Sequence, residues 1–514
     1  MKPKVFSLIL SAAALFFVNT EVSISQNIIN TLGSNGVFKI KGETGEYLTI
    51  SQSNGYISLN RSFVLPNTTS SNLGVIYKNS NRFIHTYHTT EDIGYNTFLG
   101  INAGNFSLLS QARFNTGVGP YSLSSLTTGN TNTALGTGCL QYTSTGYENT
   151  AVGVSALNSN ISGFQNTAIG NQSLLLNSTG KNNTALGSYT MNNNNTGNFN
   201  TSVGSHSLFS NISGAENTSV GFQSLHDNTT GENNSALGSG SLYFNTTGNY
   251  NTSIGNYSSH YSITGSENTA VGYQSLFSNA TGSGNTAVGY TSLYSSTGWQ
   301  NTAVGHHSLN NNTAGNYNTA IGYNSGSLVT TGYNLTLIGI DANPTSPTAA
   351  DQITLGNQFV TSLRCNVQSI TSLSDARDKK NIQELSVGLD FITKLKPRQF
   401  NWDKREWYDN NSSDGSKIQE TPTAGFIAQE LDSAQTTAGA EWLNLVLKDN
   451  PEKWEATYGN LLPVMVKAIQ ELKAENDKLK NEIETLRSVE ERLAKLESKM
   501  NRQNDPEKTK LTEK

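Results

Sequence analysis

The sequence predicts a mostly β fold: a β-solenoid or β-roll stalk of 17-residue repeats, then a small α+β domain, then a C-terminal α-helical coiled coil. Three observations predict it. Glycines recur every 17 residues through the middle of the chain. The same stretch contains very few charged residues, which become frequent from Asp375 onward. The last part of the chain carries leucines at heptad spacing, which is typical of a coiled coil.

The N-terminus has the pattern of a secretory signal peptide, which we predict over residues 1–25. Lys2 and Lys4 give a positive start to an apolar run over residues 5–18, which is too short to span a bilayer. Residues 23–25 then offer a small-x-small cleavage site. The pattern predicts an exported protein, either secreted or held at a bacterial cell surface. An uncleaved anchor is the alternative, and no later segment has the length and apolar character of a membrane helix.

Residues 26–95 are predicted to form an N-terminal β-rich region, because apolar and polar residues alternate over 37–41 and 47–50.

The net charge of −5 gives no reason to expect a nucleic-acid partner. Cys139 and Cys365 are the only cysteines of the chain, too few for a disulfide framework.

Residues 96–340 form the repeat array. A five-residue unit of the type Asn-Thr-Ala-Val-Gly recurs, and a second glycine and an apolar residue keep the same period. The closing glycines are Gly100, Gly119, Gly136, Gly153, Gly170, Gly187, Gly204, Gly221, Gly238, Gly255, Gly272 and Gly289, and after the loss of one residue Gly305, Gly322, Gly339 and Gly356. A strict period of this length indicates stacked coils.

We expect each 17-residue coil to contain two short strands and two glycine turns, one strand being the Asn-Thr-Ala-Val unit and the other opening at Ser-Leu. At about 4.8 Å per coil, fifteen or so coils would make a rod roughly 70 Å long. The expected core is thin, with about one Leu and one Val or Ile plus small residues per coil. A single rod with so little apolar area predicts oligomerisation, and three is the favoured number of chains.

Neither modification nor metal binding is predicted within the repeats. The many Asn-x-Thr/Ser triplets follow from the Asn/Thr-rich composition, although glycosylation is the alternative. His306 and His307 have no third ligand nearby, so no metal site is predicted, and no cofactor is predicted either. Aromatic residues could present a surface for a glycan or another cell-surface ligand, or be ordinary solvent-facing residues: Tyr273, Phe277, Tyr290 and Tyr294.

The sequence after the repeats has a different composition. Residues 341–370, with Pro344 and Pro347, are predicted as a linker and last β-coil. A globular domain is predicted over 371–465, because four of the five tryptophans lie beyond residue 400.

A coiled coil is predicted over 466–500, followed by a charged tail over 501–514. Leu472, Leu479 and Leu486 occupy d positions, with Asn476 and Ile483 at a. We expect a parallel trimer. A dimer, or a single amphipathic helix packed on the domain, is the alternative.

Two motifs in the C-terminal region stand out. The first is Ser374-Asp375-x-Arg377-x-Lys379, followed by Asn381, and the second is Gly425-Phe426-Ile427-Ala428-Gln429-Glu430. With Leu461-Leu462-Pro463 running into the heptads, they resemble the endosialidase-type intramolecular chaperone domain, which ends phage tail spikes and fibres. The repeats resemble, in style, the β-roll heads of trimeric autotransporter adhesins.

The chaperone resemblance implies that the domain trimerises, templates the folding of the stalk before it, and then cuts the chain before the motif serine. The scissile bond would join Leu373 and Ser374, with Ser374 as the nucleophile and Lys379 as its base. The residues support a lysine base independently, because all seven histidines lie at or before His307. Some family members carry a histidine where this chain has Thr423.

Ser374 has a structural alternative as the N-cap of a helix. The remaining residues of the two motifs, Asp375, Arg377, Asn381, Gly425, Gln429 and Glu430, are expected to support the site. The leading hypothesis is therefore an exported, self-cleaving, homotrimeric fibre, an autoproteolytic serine peptidase acting once on its own chain. A non-cleaving trimeric adhesin and a prophage tail fibre are the alternatives.

Overall fold

The computed structural model describes residues 37–42, 45–51, 57–59, 65–71, 73–89, 94–360, 362–364, 374–410 and 412–503. The predicted signal peptide, Leu373 of the predicted scissile bond and the predicted tail beyond residue 503 lie outside these residues.

The described N-terminal residues form antiparallel strands. Strands β1 (Val37–Gly42), β2 (Gly45–Ser51) and β3 (Ile57–Leu59) make a three-stranded sheet. Strands β4 (Ile76–Lys78) and β5 (Asn81–His85) form a hairpin whose second strand pairs with the first strand of the repeats.

The repeats form a β-solenoid, as the 17-residue period predicted. Each coil contributes a three-residue strand that pairs in parallel with the strand of the next coil, so that like residues lie above like. A single coil is one residue shorter, between β17 and β18. The strands are β6 (Thr97–Leu99), β7 (Thr116–Val118), β8 (Thr133–Leu135), β9 (Thr150–Val152), β10 (Thr167–Ile169), β11 (Thr184–Leu186), β12 (Thr201–Val203), β13 (Thr218–Val220), β14 (Ser235–Leu237), β15 (Thr252–Ile254), β16 (Thr269–Val271), β17 (Thr286–Val288), β18 (Thr302–Val304), β19 (Thr319–Ile321), β20 (Thr336–Ile338) and β21 (Ile353–Leu355).

The expectation of two strands per coil is wrong. Between successive strands the described chain forms turns, and the leucine of the Ser-Leu segment has a left-handed backbone, with φ of 49° at both Leu140 and Leu157. An extended strand cannot continue through that conformation. The turn still bonds to its neighbours, since the Leu157 N–H donates to the Ser173 carbonyl of the next coil at 3.0 Å.

The expected placement of Val and Ile in the core is also wrong. The middle residue of each strand points into the coil, so Ala151 and Ala168 are fully buried, whereas the flanking Thr and Val or Ile point outward. Alternation along a strand requires this once the middle residue faces inward. The apolar interior therefore consists mainly of the strand alanines and of the turn leucines such as Leu157 and Leu174.

A row of buried asparagines completes the interior. The Oδ1 atom of Asn132 accepts from both the backbone N–H and the Nδ2 of Asn149, each at 3.1 Å, and Asn149 Nδ2 also donates to the Gly163 carbonyl at 2.9 Å. The same three bonds recur along most of the stalk, so these buried polar groups are satisfied, as burial demands. The row comprises Asn96, Asn115, Asn132, Asn149, Asn166, Asn183, Asn200, Asn217, Asn234, Asn251, Asn268, Asn285, Asn301 and Asn318.

Glycine is required where successive coils approach most closely. At Gly170, φ is +140°, and an added Cβ would lie 2.2 Å from the Gly187 carbonyl oxygen of the next coil. Both the backbone conformation and the spacing therefore exclude larger residues. This explains why the closing glycine is present in every repeat.

The C-terminal domain is small and mixed. It contains α1 (Leu389–Ile392), β22 (Arg398–Phe400), β23 (Thr423–Gly425), α2 (Ala428–Thr437), β24 (Val446–Leu447), β25 (Glu455–Ala456) and α3 (Leu461–Gln503), and β22–β23 and β24–β25 are antiparallel pairs. Single 3₁₀ turns lie at Ala376–Asp378, Arg405–Trp407, Glu441–Leu443 and Tyr458–Asn460.

The core of this domain forms around the start of α3. Phe391 of α1, Leu431 of α2, and Leu461 and Val464 of α3 are buried together. Helix α3 is 43 residues long, and beyond residue 468 its apolar side chains are partly or largely exposed. In the part of the chain that the structure describes, we find no helix with the length and apolar character of a membrane span.

Candidate active site

Ser374 and Asp375 lead into the short 3₁₀ turn Ala376–Asp378. Asp375 caps this turn, because its Oδ1 accepts the Arg377 backbone N–H at 2.9 Å. Its carboxylate also binds the Arg377 guanidinium, with the closest contact at 2.6 Å. These bonds lower the pKa of Asp375 and raise the pKa of Arg377. The N-cap of the turn is thus Asp375, and the capping alternative for Ser374 is wrong.

The turn brings Ser374 and Lys379 together. The Lys379 backbone N–H closes the turn on the Ala376 carbonyl at 3.2 Å, and its Nζ donates to Ser374 Oγ at 2.5 Å. Asn381 follows in a left-handed conformation with φ of 51°. A nucleophilic hydroxyl and an amine in direct contact form the pair that a serine–lysine mechanism requires.

This pair lies at the surface of the single chain. Every residue from 374 to 384 is exposed, and Ile382 keeps 73% of its surface accessible. An amine base works in its neutral form, which burial favours. The single chain therefore brings the hydroxyl and the amine together without enclosing them.

The second motif connects the strands and helices of the domain core. Arg398 of β22 binds Glu430 of α2 through two hydrogen bonds, at 3.0 and 2.5 Å. The ion pair raises the pKa of Arg398 and lowers that of Glu430. A Cβ at Gly425 would lie 2.8 Å from Tyr458 Oη, so this position has little room for a side chain. Among the described residues, no hydrogen bond or ion pair joins this motif to the Ser374–Lys379 pair.

Thr423 and Gln429 have different surroundings. Thr423 lies on β23 opposite Phe400, where it is half-buried. Gln429 lines a concave pocket of about 920 Å³ together with Phe400, Trp402, Phe426, Trp454 and Tyr458. Sequence reasoning missed this pocket, although the concentration of tryptophans beyond residue 400 is a signal for it.

The stalk aromatics lie in rows along successive coils. Phe277 and Tyr294 stack at 5.0 Å with an interplanar angle of 7°, and Tyr273 and Tyr290 stack at 5.4 Å. Each ring covers part of the face of its neighbour. These contacts stabilise the stacking of coils, and the ring edges are what remains for a ligand.

No metal centre accompanies these features in the parts of the chain that the structure describes, where no group of three or more His, Cys, Asp or Glu residues is placed to hold an ion.

Comparison with known families identifies the segment that contains both motifs. A family model described as chaperone of endosialidase matches residues 374–440, beginning at Ser374 itself. No curated protein and no solved structure matches the chain. The match confirms the resemblance that the two motifs indicated. Residues 374–440 are thus similar to the endosialidase chaperone family.

Proposed function

We propose that this chain is an exported fibrous protein whose C-terminal domain joins three chains, templates the folding of the β-solenoid stalk, and then releases itself by cutting the Leu373–Ser374 bond. The observation that carries the cleavage is the 2.5 Å hydrogen bond from Lys379 Nζ to Ser374 Oγ. It lies at the first residue of the family match, where a released domain would begin.

The chemistry follows from the position of the serine beside the bond it would cut. With Lys379 neutral, Nζ accepts the Ser374 hydroxyl proton while Oγ attacks the carbonyl carbon of Leu373. The carbon–nitrogen bond breaks, the proton passes from Nζ to the Ser374 nitrogen, and an ester joins Leu373 to Oγ. Water then hydrolyses the ester, which leaves a carboxylate on Leu373 and restores the serine hydroxyl.

Assembly would supply the enclosure that the single chain lacks. The exposed residues from 374 to 384 are available to a neighbouring chain. Covering them would favour neutral Lys379 and keep bulk water away from the pair. Cleavage would then follow assembly, so that the domain leaves only after it has ordered the stalk.

The exposed stripe of α3 supports assembly. Leu472, Leu479 and Leu486 are 52%, 51% and 62% exposed at heptad spacing. A long helix with an unburied apolar stripe is stabilised by packing against equivalent helices. Asn476 at an a position favours a parallel arrangement with a fixed register.

A β-solenoid stalk ahead of an endosialidase-type chaperone domain fits a protein built like a phage tail fibre, and the family is known for autoproteolysis. A prophage tail fibre is therefore the second candidate. The predicted signal peptide separates the two, because deletion of residues 1–25 would abolish export of a secreted fibre and leave a cytoplasmic tail fibre unaffected.

Denaturing gels of the purified protein test cleavage directly. We expect the wild type to give a C-terminal fragment whose N-terminal residue is Ser374, and the Ser374→Ala variant to remain one full-length band. The Ser412→Ala variant is a matched control, with an exposed serine outside both motifs, and should cleave like the wild type. A wild type that stays intact after assembly into trimers would make the domain a permanent clamp.

A further inference from the structure

A row of aliphatic residues faces solvent along the whole stalk. It is formed by the third residue of each of the solenoid strands β6 to β21, and every member is Val, Ile or Leu. These side chains lie outside the coil: Leu135 and Leu237 are 49% and 50% exposed, and the valines of the row are partly exposed. The members are Leu99, Val118, Leu135, Val152, Ile169, Leu186, Val203, Val220, Leu237, Ile254, Val271, Val288, Val304, Ile321, Ile338 and Leu355.

Other outward-facing positions of the coil, next to this row, vary in residue type. The residue after the closing glycine is Val154, Asn171, Ser188, Phe222 or Tyr273 in different coils. The charged residues of the repeats lie between the strands: Arg113, Glu148, Lys181, Glu216, Asp227, Glu232 and Glu267. The coil therefore tolerates polar and charged side chains on its outside, and an aliphatic row without exception needs another reason.

A second uniform row lies beside the first. The first residue of the strand is Thr in each of β6 to β20 except β14, where it is Ser235. Parallel pairing in register places these hydroxyls above one another, as with Thr133, Thr150 and Thr167. The two rows together, here called the strand face, form an uncharged surface that repeats about every 4.8 Å.

The strand face is large enough for a stable interface. With about 60 Å² exposed per residue, the aliphatic row alone offers on the order of 1,000 Å² per chain, against the ~800 Å² that each partner buries in a standard interface. A continuous exposed apolar surface of this size is unusual for a monomer and marks an association site.

We propose that the strand face is where the stalks of three copies of this chain pack around a common axis, parallel and level by level. This inference rests on the proposed trimerisation. A parallel bundle of α3 helices would bring the same ends of the three stalks together, so that like coils meet. Packed in this way, the aliphatic rows form the apolar core that a single thin coil lacks.

The repetition of the strand face gives the C-terminal domain a physical task. Because every coil presents the same chemistry, a stalk shifted by one coil would lose few contacts, as weakly specified registers do in sheets. The stalks alone therefore do not select their alignment. A helix bundle with a polar Asn476 does select one, and it would set the register before the stalks close.

Cysteine cross-linking tests the face. The background carries Cys139→Ala, Cys365→Ala and Ser374→Ala, so that the only thiol is the introduced one and the C-terminal domain stays attached. In full-length protein, Val220→Cys should give a disulfide-linked dimer band on oxidation, because two of three thiols at the axis can pair. Glu232→Cys, an exposed turn position of the following coil, should give at least tenfold less.

Sedimentation of the same samples tests the trimer separately from the strand face. A monomer would refute the proposed trimer itself. A trimer that cross-links at Glu232→Cys, or at neither position, would refute the strand face and leave the trimer standing. A trimer linked through Val220→Cys supports both.

A charge variant gives an independent readout. Val220→Asp with Ile254→Asp would place carboxylates at the axis, so we expect a Tm below that of the wild type at pH 7 and a smaller difference from the wild type at pH 4, where the carboxylates are protonated. Asn171→Asp with Ser188→Asp, outward positions next to the strand face, should change the Tm little. Equal effects of the two pairs would overturn the proposal.

Discussion

Lys379 Nζ donates a hydrogen bond to Ser374 Oγ at 2.5 Å across a single 3₁₀ turn. The turn is held by Asp375, which caps it and binds Arg377. The motif thus brings a hydroxyl and an amine from residues five apart into contact, with its own support. The contacts that hold Ser374 beside Lys379 lie within residues 374–379.

Replacing Lys379 tests the base while keeping its charge. Lys379→Arg retains a cation and a donor, but an arginine does not give up its proton. We expect cleavage to slow by at least about 100-fold, the usual contribution of a general base. The rate is measured from the loss of full-length protein on denaturing gels. Lys380→Arg, the adjacent exposed residue, should cleave at the wild-type rate, and equal slowing in both variants would remove Lys379 from the role of base.

Charges on the stripe of α3 should prevent assembly. Leu479→Asp with Leu486→Asp would place six carboxylates in the core of a three-helix bundle, and burial of unpaired charge is strongly unfavourable. Sedimentation velocity should show loss of the trimer and, on the proposed order of events, loss of cleavage. Asn481→Asp adds a charge on the opposite side of the helix and should leave the trimer intact. Trimers of the double variant would show that the stalks associate without the helices.

A gap in a second asparagine row of the stalk predicts a stabilising change. Asn228 Oδ1 accepts from Asn245 Nδ2 at 2.8 Å, but the next position is Ser262, and Asn245 Oδ1 has no partner among the described residues. Ser262→Asn would supply the missing donor, for a gain of about 1 kcal/mol. Chemical denaturation measures it.

The reverse substitution is the control for that change. Asn228→Ser would leave Asn211 Oδ1 without the donor it now has at 2.8 Å. We expect a loss of roughly 1–3 kcal/mol, the cost of an unsatisfied buried group. If both variants shift stability in the same direction, pairing along the row is not what governs it.

The N-terminal end of the solenoid should lose stability in mild acid. His85 is buried, and its Nε2 lies 2.8 Å from the Ala103 carbonyl. Burial lowers the pKa of His85 from 6.5 to about 4. In the unfolded chain it takes up a proton below pH 6.5, whereas the folded chain resists this until about pH 4.

The contribution of neutral His85 to the free energy of unfolding is therefore fully present above pH 6.5. It falls as the pH drops towards 4, by up to about 3 kcal/mol. Denaturation curves at pH 7 and pH 4.5 measure the decrease. The His85→Gln variant keeps a hydrogen-bond donor but does not titrate, so it should lose less between the two values. An equal decrease in both proteins would place the acid sensitivity elsewhere.

The sequence by itself determined the repeating fold and the family resemblance of the C-terminal segment. A 17-residue period of glycines leaves little choice but stacked coils, because Gly170 and its equivalents are in contact with the backbone of the next coil. The motifs around Ser374 and Gly425 were sufficient to indicate the endosialidase-type chaperone domain, which the family match confirms. Local spacing carries this information directly.

Only the tertiary structure decided which residues of each strand face the interior of the coil. The pattern Thr-Ala-Val is compatible with Val in the core and Ala outside, or the reverse, because alternation assigns residues to two faces without showing which face is buried. The left-handed backbone at Leu157 and its equivalents closes the coil tightly. The narrow interior holds the small side chain of Ala151, while Val152 on the same strand points outward. Only that closure turns an aliphatic row outward. The separation of Ser374–Lys379 from Glu430 likewise depends on how β22, β23 and α2 pack, which no spacing along the chain encodes.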